Sequence, residues 1–105
     1  MNEQKVVNLL SMAQRANQVV SGEFAAAKAL QEGKARLLLV AKDAASETKK
    51  NYAGLAAKYK VPIYYLLTRD SLGTCLGKTF RAAAVLLDPG FGKALEKWIK
   101  MAKEK

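Results

Sequence analysis

Apolar positions along this chain alternate between two spacings. In residues 3–16, Val6, Leu9, Leu10 and Ala13 recur at i, i+3, i+4 and i+7, which puts them on one helical face with Asn2 as the N-cap. Gln14, Arg15, Asn17 and Gln18 break the pattern, and Val19-Val20 is long enough only for a brief strand. Ser21 is placed to cap a second helix, and Glu23 in its first turn suits the positive end of the helix dipole. That alanine-rich helix runs to about Glu32, where Gly33 fits the left-handed position just past a helix end.

Residues 36–41 carry no charge after Arg36, so the Leu37-Leu38-Leu39-Val40 run reads as a strand buried on both faces. From Ser46 to Lys60 the helical spacing returns, with Tyr52, Leu55, Ala56 and Tyr59 on one side and lysines on the other. Pro62 stops that helix, and Ile63-Tyr64-Tyr65-Leu66-Leu67 reads as a second buried strand. Thr68 is a good N-cap for a short helix holding Leu72, Cys75 and Leu76 and ending at Gly77. Lys78-Thr79-Phe80 reads as a loop and Ala82 to Leu87 as a third long strand. Asp88-Pro89 supplies a cap followed by proline at the first helical position, and the last helix buries Phe91, Leu95, Trp98 and Ile99.

Helices and strands therefore alternate throughout. The pattern predicts an α/β protein: a three-layer α/β/α sandwich around a mixed, roughly four-stranded central sheet, with residues 1–105 forming one domain. No linker, internal repeat or low-complexity stretch interrupts it.

Composition narrows the function. Half of the 105 residues are hydrophobic, enough for a real core. Lysine and arginine number 18 against 9 acidic residues, a formal charge of +9 that draws polyanions, either nucleic acid or an acidic membrane. No apolar run approaches the roughly 20 residues that span a bilayer, and the first residues lack a signal-peptide pattern. No membrane is therefore expected as a partner, and the expected location is cytoplasmic. The single cysteine, Cys75, excludes an internal disulfide and a multi-cysteine metal cluster. Histidine is absent, which removes the usual general base and metal ligand. Neither GxxxxGK[ST] nor GxGxxG occurs. A non-enzymatic protein without metal or cofactor is expected.

Four stretches carry candidate chemistry. Ser21-Gly22-Glu23 opens the second helix, where backbone N–H groups can seat a phosphate or a base edge; an ordinary capped helix start is the competing reading. Lys28, a turn and a half further on, is within reach of a phosphate or a guanine edge, or is simply solvated. Lys42-Asp43 follows the buried strand, at the carboxyl end where α/β sheets line their ligand crevice. There Lys42 is the contact candidate and Asp43 reads as a cap for the helix that follows. In Lys78-Thr79-Phe80-Arg81 an aromatic lies between cations, a platform for an unstacked base, unless Phe80 tucks into the core. Cys75 and Trp98 read as core residues. The lysines at 93, 97, 100, 103 and 105 suit the last helix's dipole and add long-range attraction.

The chain also resembles the kink-turn-binding ribosomal protein superfamily, which contains the archaeal L-seven-Ae and eukaryotic L-thirty-e proteins, and within it the small bacterial YlxQ-like branch. The resemblance rests on Leu10-Ser11-Met12-Ala13-Gln14-Arg15-Ala16, Val20-Ser21-Gly22-Glu23, Lys28-Ala29-Leu30, Gly33-Lys34-Ala35, Val40-Ala41-Lys42-Asp43-Ala44, Leu72-Gly73, Gly77-Lys78 and Asp88-Pro89-Gly90-Phe91, in order along nearly the whole chain. It implies a fold of the kind already read from the pattern. It also implies an RNA site in which the start of the second helix meets sheared G·A pairs and the loop before the last strand covers an extruded nucleotide. Carried over by position, that nominates Gly22, Glu23, Lys28, Lys42, Asp43, Lys78, Thr79, Phe80 and Arg81. One departure stands out. Where such proteins tend to carry Asn-Glu, this chain has Phe24-Ala25, and neither side chain hydrogen-bonds to a base. The expectation is a monomer that binds structured RNA, ribosomal or regulatory, with the ribosome as a further partner. The alternative is a protein-interaction module that docks on the ribosome or translation machinery through its basic face.

Overall fold

The computed structural model describes residues 3–103, leaving the expected Asn2 cap and Lys105 outside the described residues. Helices and strands alternate as α1 Glu3–Arg15, β1 Val19–Ser21, α2 Glu23–Gln31, β2 Leu37–Val40, α3 Ser46–Tyr59, β3 Ile63–Tyr65, α4 Arg69–Cys75, β4 Ala83–Leu86 and α5 Pro89–Lys103. The sheet order is β1-β4-β2-β3. β4 is antiparallel to both β1 and β2, while β2 and β3 are parallel, so the sheet is mixed.

Helices α2 and α3 pack on each other and against β1, β4 and β2. Helix α1 packs on α4 and α5, which also lie on β4. With helices on both of its faces, β4 is buried at every residue, and so is β2. This is why Leu37–Val40 shows no polar alternation. Leu10, Leu30, Leu38, Leu72, Leu95 and Ile99 meet in this core at 1% exposure or less. A side chain of this kind contributes about 1.5–3 kcal/mol when fully buried.

Local signals account for most of the boundaries. α2 stops at Gly33 with φ 71 and α4 at Gly77 with φ 72, both in the region that glycine adopts without cost. Thr68 caps α4 by accepting from the Ser71 amide at 3.1 Å, and Asp88 caps α5 by accepting from the Phe91 amide at 2.9 Å. Trp98 packs against the core but is only half-buried, and the Lys5 ammonium lies 3.8 Å from its ring centroid.

β3 departs from expectation. Instead of a buried strand over 63–67, it is a three-residue edge strand whose Ile63 and Tyr64 are half-buried and whose Tyr65 is exposed. The ladder stops because Leu67 takes a left-handed φ of 64, which turns the chain and buries Leu66 and Leu67 ahead of α4.

The register decides which loops gather at one end of the sheet. Ser21 lies opposite Ala84, while Val40 lies opposite both Ala83 and Tyr65. The carboxyl ends of β1, β2 and β3 and the amino end of β4 therefore converge. Among the described residues no helix is long and apolar enough to cross a membrane.

Candidate nucleic-acid interface

Four connections emerge at this end: the β1–α2 turn, the β2–α3 loop, the β3–α4 turn and the α4–β4 loop. Arg81 ties three of them together. Its Nε donates to Ser21 Oγ at 3.1 Å, its Nη1 donates to the Phe80 carbonyl at 2.7 Å, and its backbone amide donates to the Arg69 carbonyl at 3.1 Å. The guanidinium is thereby aimed along the boundary between the β1 end and the loop before β4.

Ser21 does not cap α2. It is the last residue of β1, and its hydroxyl is used by Arg81. The N-cap is Gly22 at φ 94, and no side chain caps the first turn. A Cβ built on Gly22 would meet nothing within 4 Å, so the backbone here is open to a close approach. Glu23 is exposed. Its charge also reaches Tyr52, whose hydroxyl is pushed above the ordinary tyrosine value mainly by burial and secondarily by Glu23.

Asp43 does not cap the helix that follows it either, since α3 begins at N-cap Ala45 without a side-chain cap. Its Oδ1 instead accepts from the Arg69 amide at 2.8 Å and lies 3.6 Å from Arg69 Nε. Both side chains of that pair are half-exposed, so solvent screens the ion pair and the amide bond is the firmer link. Neighbouring Lys42 is exposed, and its backbone amide donates to the Leu67 carbonyl at 2.8 Å.

The 78–81 loop is held by backbone contact. The Lys78 amide donates to the Gly73 carbonyl at 2.8 Å. Gly73 itself is flush against the loop: an added Cβ would collide with the Thr79 carbonyl oxygen, 2.8 Å from the Thr79 carbonyl carbon and 3.0 Å from Phe80 Cα. Lys78 and Thr79 are exposed, and Phe80 projects with 62% of its surface open. Phe80 therefore does not tuck into the core, and its ring stays open to solvent.

Gly22, Glu23, Lys42, Asp43, Lys78, Thr79, Phe80 and Arg81 thus all come to the same end of the sheet. Lys28 stands apart, five residues beyond Glu23 in the last turn of α2, or about 7.5 Å along the axis. It is exposed beside a shallow groove lined with Val20, Ala25, Glu32, Lys34 and Leu87. Sequence reasoning missed Arg69, whose carbonyl and side chain join Arg81 to Asp43. Its place just after β3, at a strand's carboxyl end, was the available signal. Phe24, noted in the sequence for lacking a hydrogen-bonding group, is 85% exposed.

Cations, an open helix start and a projecting ring make a surface suited to phosphates and unstacked bases. A groove of about 500 Å³ between α2 and α3 is lined by Glu23, Ala27, Tyr52 and Leu55. Among the described residues no group of three or more acidic or cysteine side chains is placed to hold a metal ion.

A family model described as the ribosomal protein L7Ae/L30e/S12e/Gadd45 family matches residues 4–96. The chain is 38% identical over 87 residues to the RNA-binding protein YlxQ of Bacillus subtilis (strain 168), covering 83% of this chain and 87% of that one. It is 31% identical over 99 residues to the RNA-binding protein YlxQ of Enterococcus faecium, covering 94% and 95%. Among solved structures, a protein of unknown function from Bacillus halodurans C superposes with a TM-score of 0.88 at 33% identity, covering 91% of this chain and 97% of that one.

Proposed function

The chain belongs to the ribosomal protein L7Ae/L30e/S12e/Gadd45 family, and from that premise we propose that it binds structured RNA of the kink-turn type, without catalysis, through the loop end of its sheet. The observation that carries this reading is Phe80 standing exposed between Lys78 and Arg81, with Arg81 fixed to Ser21 beside the open start of α2. An aromatic ring flanked by cations offers a stacking face and phosphate contacts together. The two relatives named RNA-binding proteins support RNA as the partner.

In this reading Lys42, Lys78 and Arg81 contact phosphates, Lys28 reaches the backbone of the same stem further along α2, and Gly22 admits the RNA to the α2 start. Glu23 faces base edges there, Thr79 and Phe80 cover an extruded nucleotide, and Asp43 orients Arg69. Affinity comes from phosphate contacts and shape, so it falls as salt rises. The protein acts as a monomer in the cytoplasm on ribosomal or regulatory RNA.

Amide hydrogen exchange with and without a kinked RNA tests the assignment. Protection is expected at residues 21–24, 42–43 and 78–81, together with a severalfold loss of affinity in Lys28→Ala. Protection confined to α5 would move the site elsewhere. Capture of a ribosomal protein that survives nuclease treatment, with no protection by RNA, would favour docking on the translation machinery instead.

A further inference from the structure

Phe24 is the most exposed large apolar side chain among the described residues, at 85%. α2 buries Ala26, Ala29 and Leu30, and the 3.6-residue repeat turns Phe24 and Lys28 to the opposite side. The ring therefore contributes little to the core, and its neighbour on the outward stripe, one turn on, is a lysine. It stands at the second position of a helix start that no side chain caps. That helix start adjoins Ser21, whose hydroxyl binds Arg81, and Arg81 follows Phe80. Two exposed rings, each with cations nearby, thus flank one junction of the chain. They stand singly rather than as a broad apolar patch, the scale of individual bases rather than of a protein interface.

We infer that Phe24 is a second stacking station, so that the site takes two unpaired nucleobases, one on Phe24 and one on Phe80. This rests on the RNA-binding reading of the same site and specifies its target. The α2 face recognises an unpaired base by its flat surface, with the Lys28 ammonium near that nucleotide's phosphate. Hydrogen-bond readout of paired base edges is not available from positions 24 and 25, because Phe24 and Ala25 carry no polar side-chain atom. Stacking is tolerant of base identity. The preferred RNA is then a kinked or bulged stem with two unpaired nucleotides, largely independent of their sequence.

The test uses a kinked RNA carrying a fluorescent adenine analogue at each unpaired position in turn, a matching RNA made abasic at the position whose response Phe24→Ala removes, and a straight duplex. Wild-type protein is expected to change the fluorescence at two positions. Phe24→Ala abolishes one of the two changes and weakens binding by about fivefold or more, while Phe24→Tyr restores both. On the abasic RNA, Phe24→Ala and wild type bind alike. Phe24→Ala binding the intact RNA as wild type does, or losing as much on the abasic RNA, would overturn the stacking role while leaving the RNA site standing. Phe24→Ala abolishing capture of a protein partner and sparing RNA binding would overturn it too. Equal binding of wild type to kinked RNA and straight duplex would remove both the inference and the reading beneath it. Phe24 is exposed and alanine favours helix, so the variants are expected to fold.

Discussion

Arg81 Nε lies 3.1 Å from Ser21 Oγ, a hydrogen bond between residues 60 apart in sequence that joins the end of β1 to the loop before β4. It gives a long, flexible cation one orientation, and a pre-oriented group loses less entropy when a ligand arrives. Ser21→Ala should therefore keep the charge yet weaken RNA binding severalfold, the scale of about 1 kcal/mol for one hydrogen bond. Arg81→Ala should weaken it more and flatten the salt dependence of affinity. Titrations at two salt concentrations check both. Identical affinity in Ser21→Ala would mean that the bond does not orient Arg81 for binding.

Gly73 and Gly54 make a matched pair. A Cβ at Gly73 would meet the backbone of Thr79 and Phe80, which cannot yield without moving the loop, whereas Gly54 in mid-α3 has nothing within 4 Å. Gly73→Ala is expected to cost about 1–3 kcal/mol of stability and to reduce RNA affinity with it. Gly54→Ala should stabilise by about 0.5–1 kcal/mol and leave RNA binding alone. Urea denaturation of the two variants against wild type reads the signs directly.

Asp43 offers its carboxylate to the Arg69 amide at the first turn of α4. Asp43→Ala should lose about 1 kcal/mol, as the removal of a helix cap does. Asp43→Asn keeps the acceptor and should stay close to wild type, because the ion pair with Arg69 is half-exposed and worth little. Equal destabilisation in both variants would assign the stability to charge rather than to the cap.

These cases also mark what the sequence could reveal. Gly33, Gly77, Thr68 and Asp88 were readable because each acts within a few residues of itself. Ser21 and Asp43 were recognised as hydrogen-bonding residues but given the wrong partners. Their true partners lie 60 and 26 residues away and depend on strand order. The order β1-β4-β2-β3 has no local signature, and β3 ends early because Leu67 turns. Most of the candidate positions were nonetheless legible, because the carboxyl ends of strands gather loops whatever the order of the strands. Whether Phe80 faced solvent or core depended on how Gly73 packs beneath it, which spacing does not encode. Phe24 could be read only as a missing hydrogen-bonding group.

Tyr64 donates to Glu96 Oε2 at 2.6 Å. Its hydroxyl is pushed up to about 12, first by burial and then by the hydrogen bond and charge of Glu96. The unfolded chain releases this proton near pH 10 and the folded chain only near pH 12, so the folded state holds more protons between those values. The stabilisation from Tyr64 is full below pH 10 and is lost as pH rises to about 12. Denaturation midpoints across this range should fall less steeply for Tyr64→Phe than for wild type. Parallel curves would place the alkaline sensitivity elsewhere.

The most direct test of the central claim is titration of the protein into a labelled kink-turn RNA and a straight duplex of matched length, each at low and moderate salt. The loop-end site predicts tighter binding to the kinked RNA, with the preference persisting as salt rises while both affinities fall. Equal binding to both RNAs, lost together as salt rises, would contradict it and leave only a basic surface.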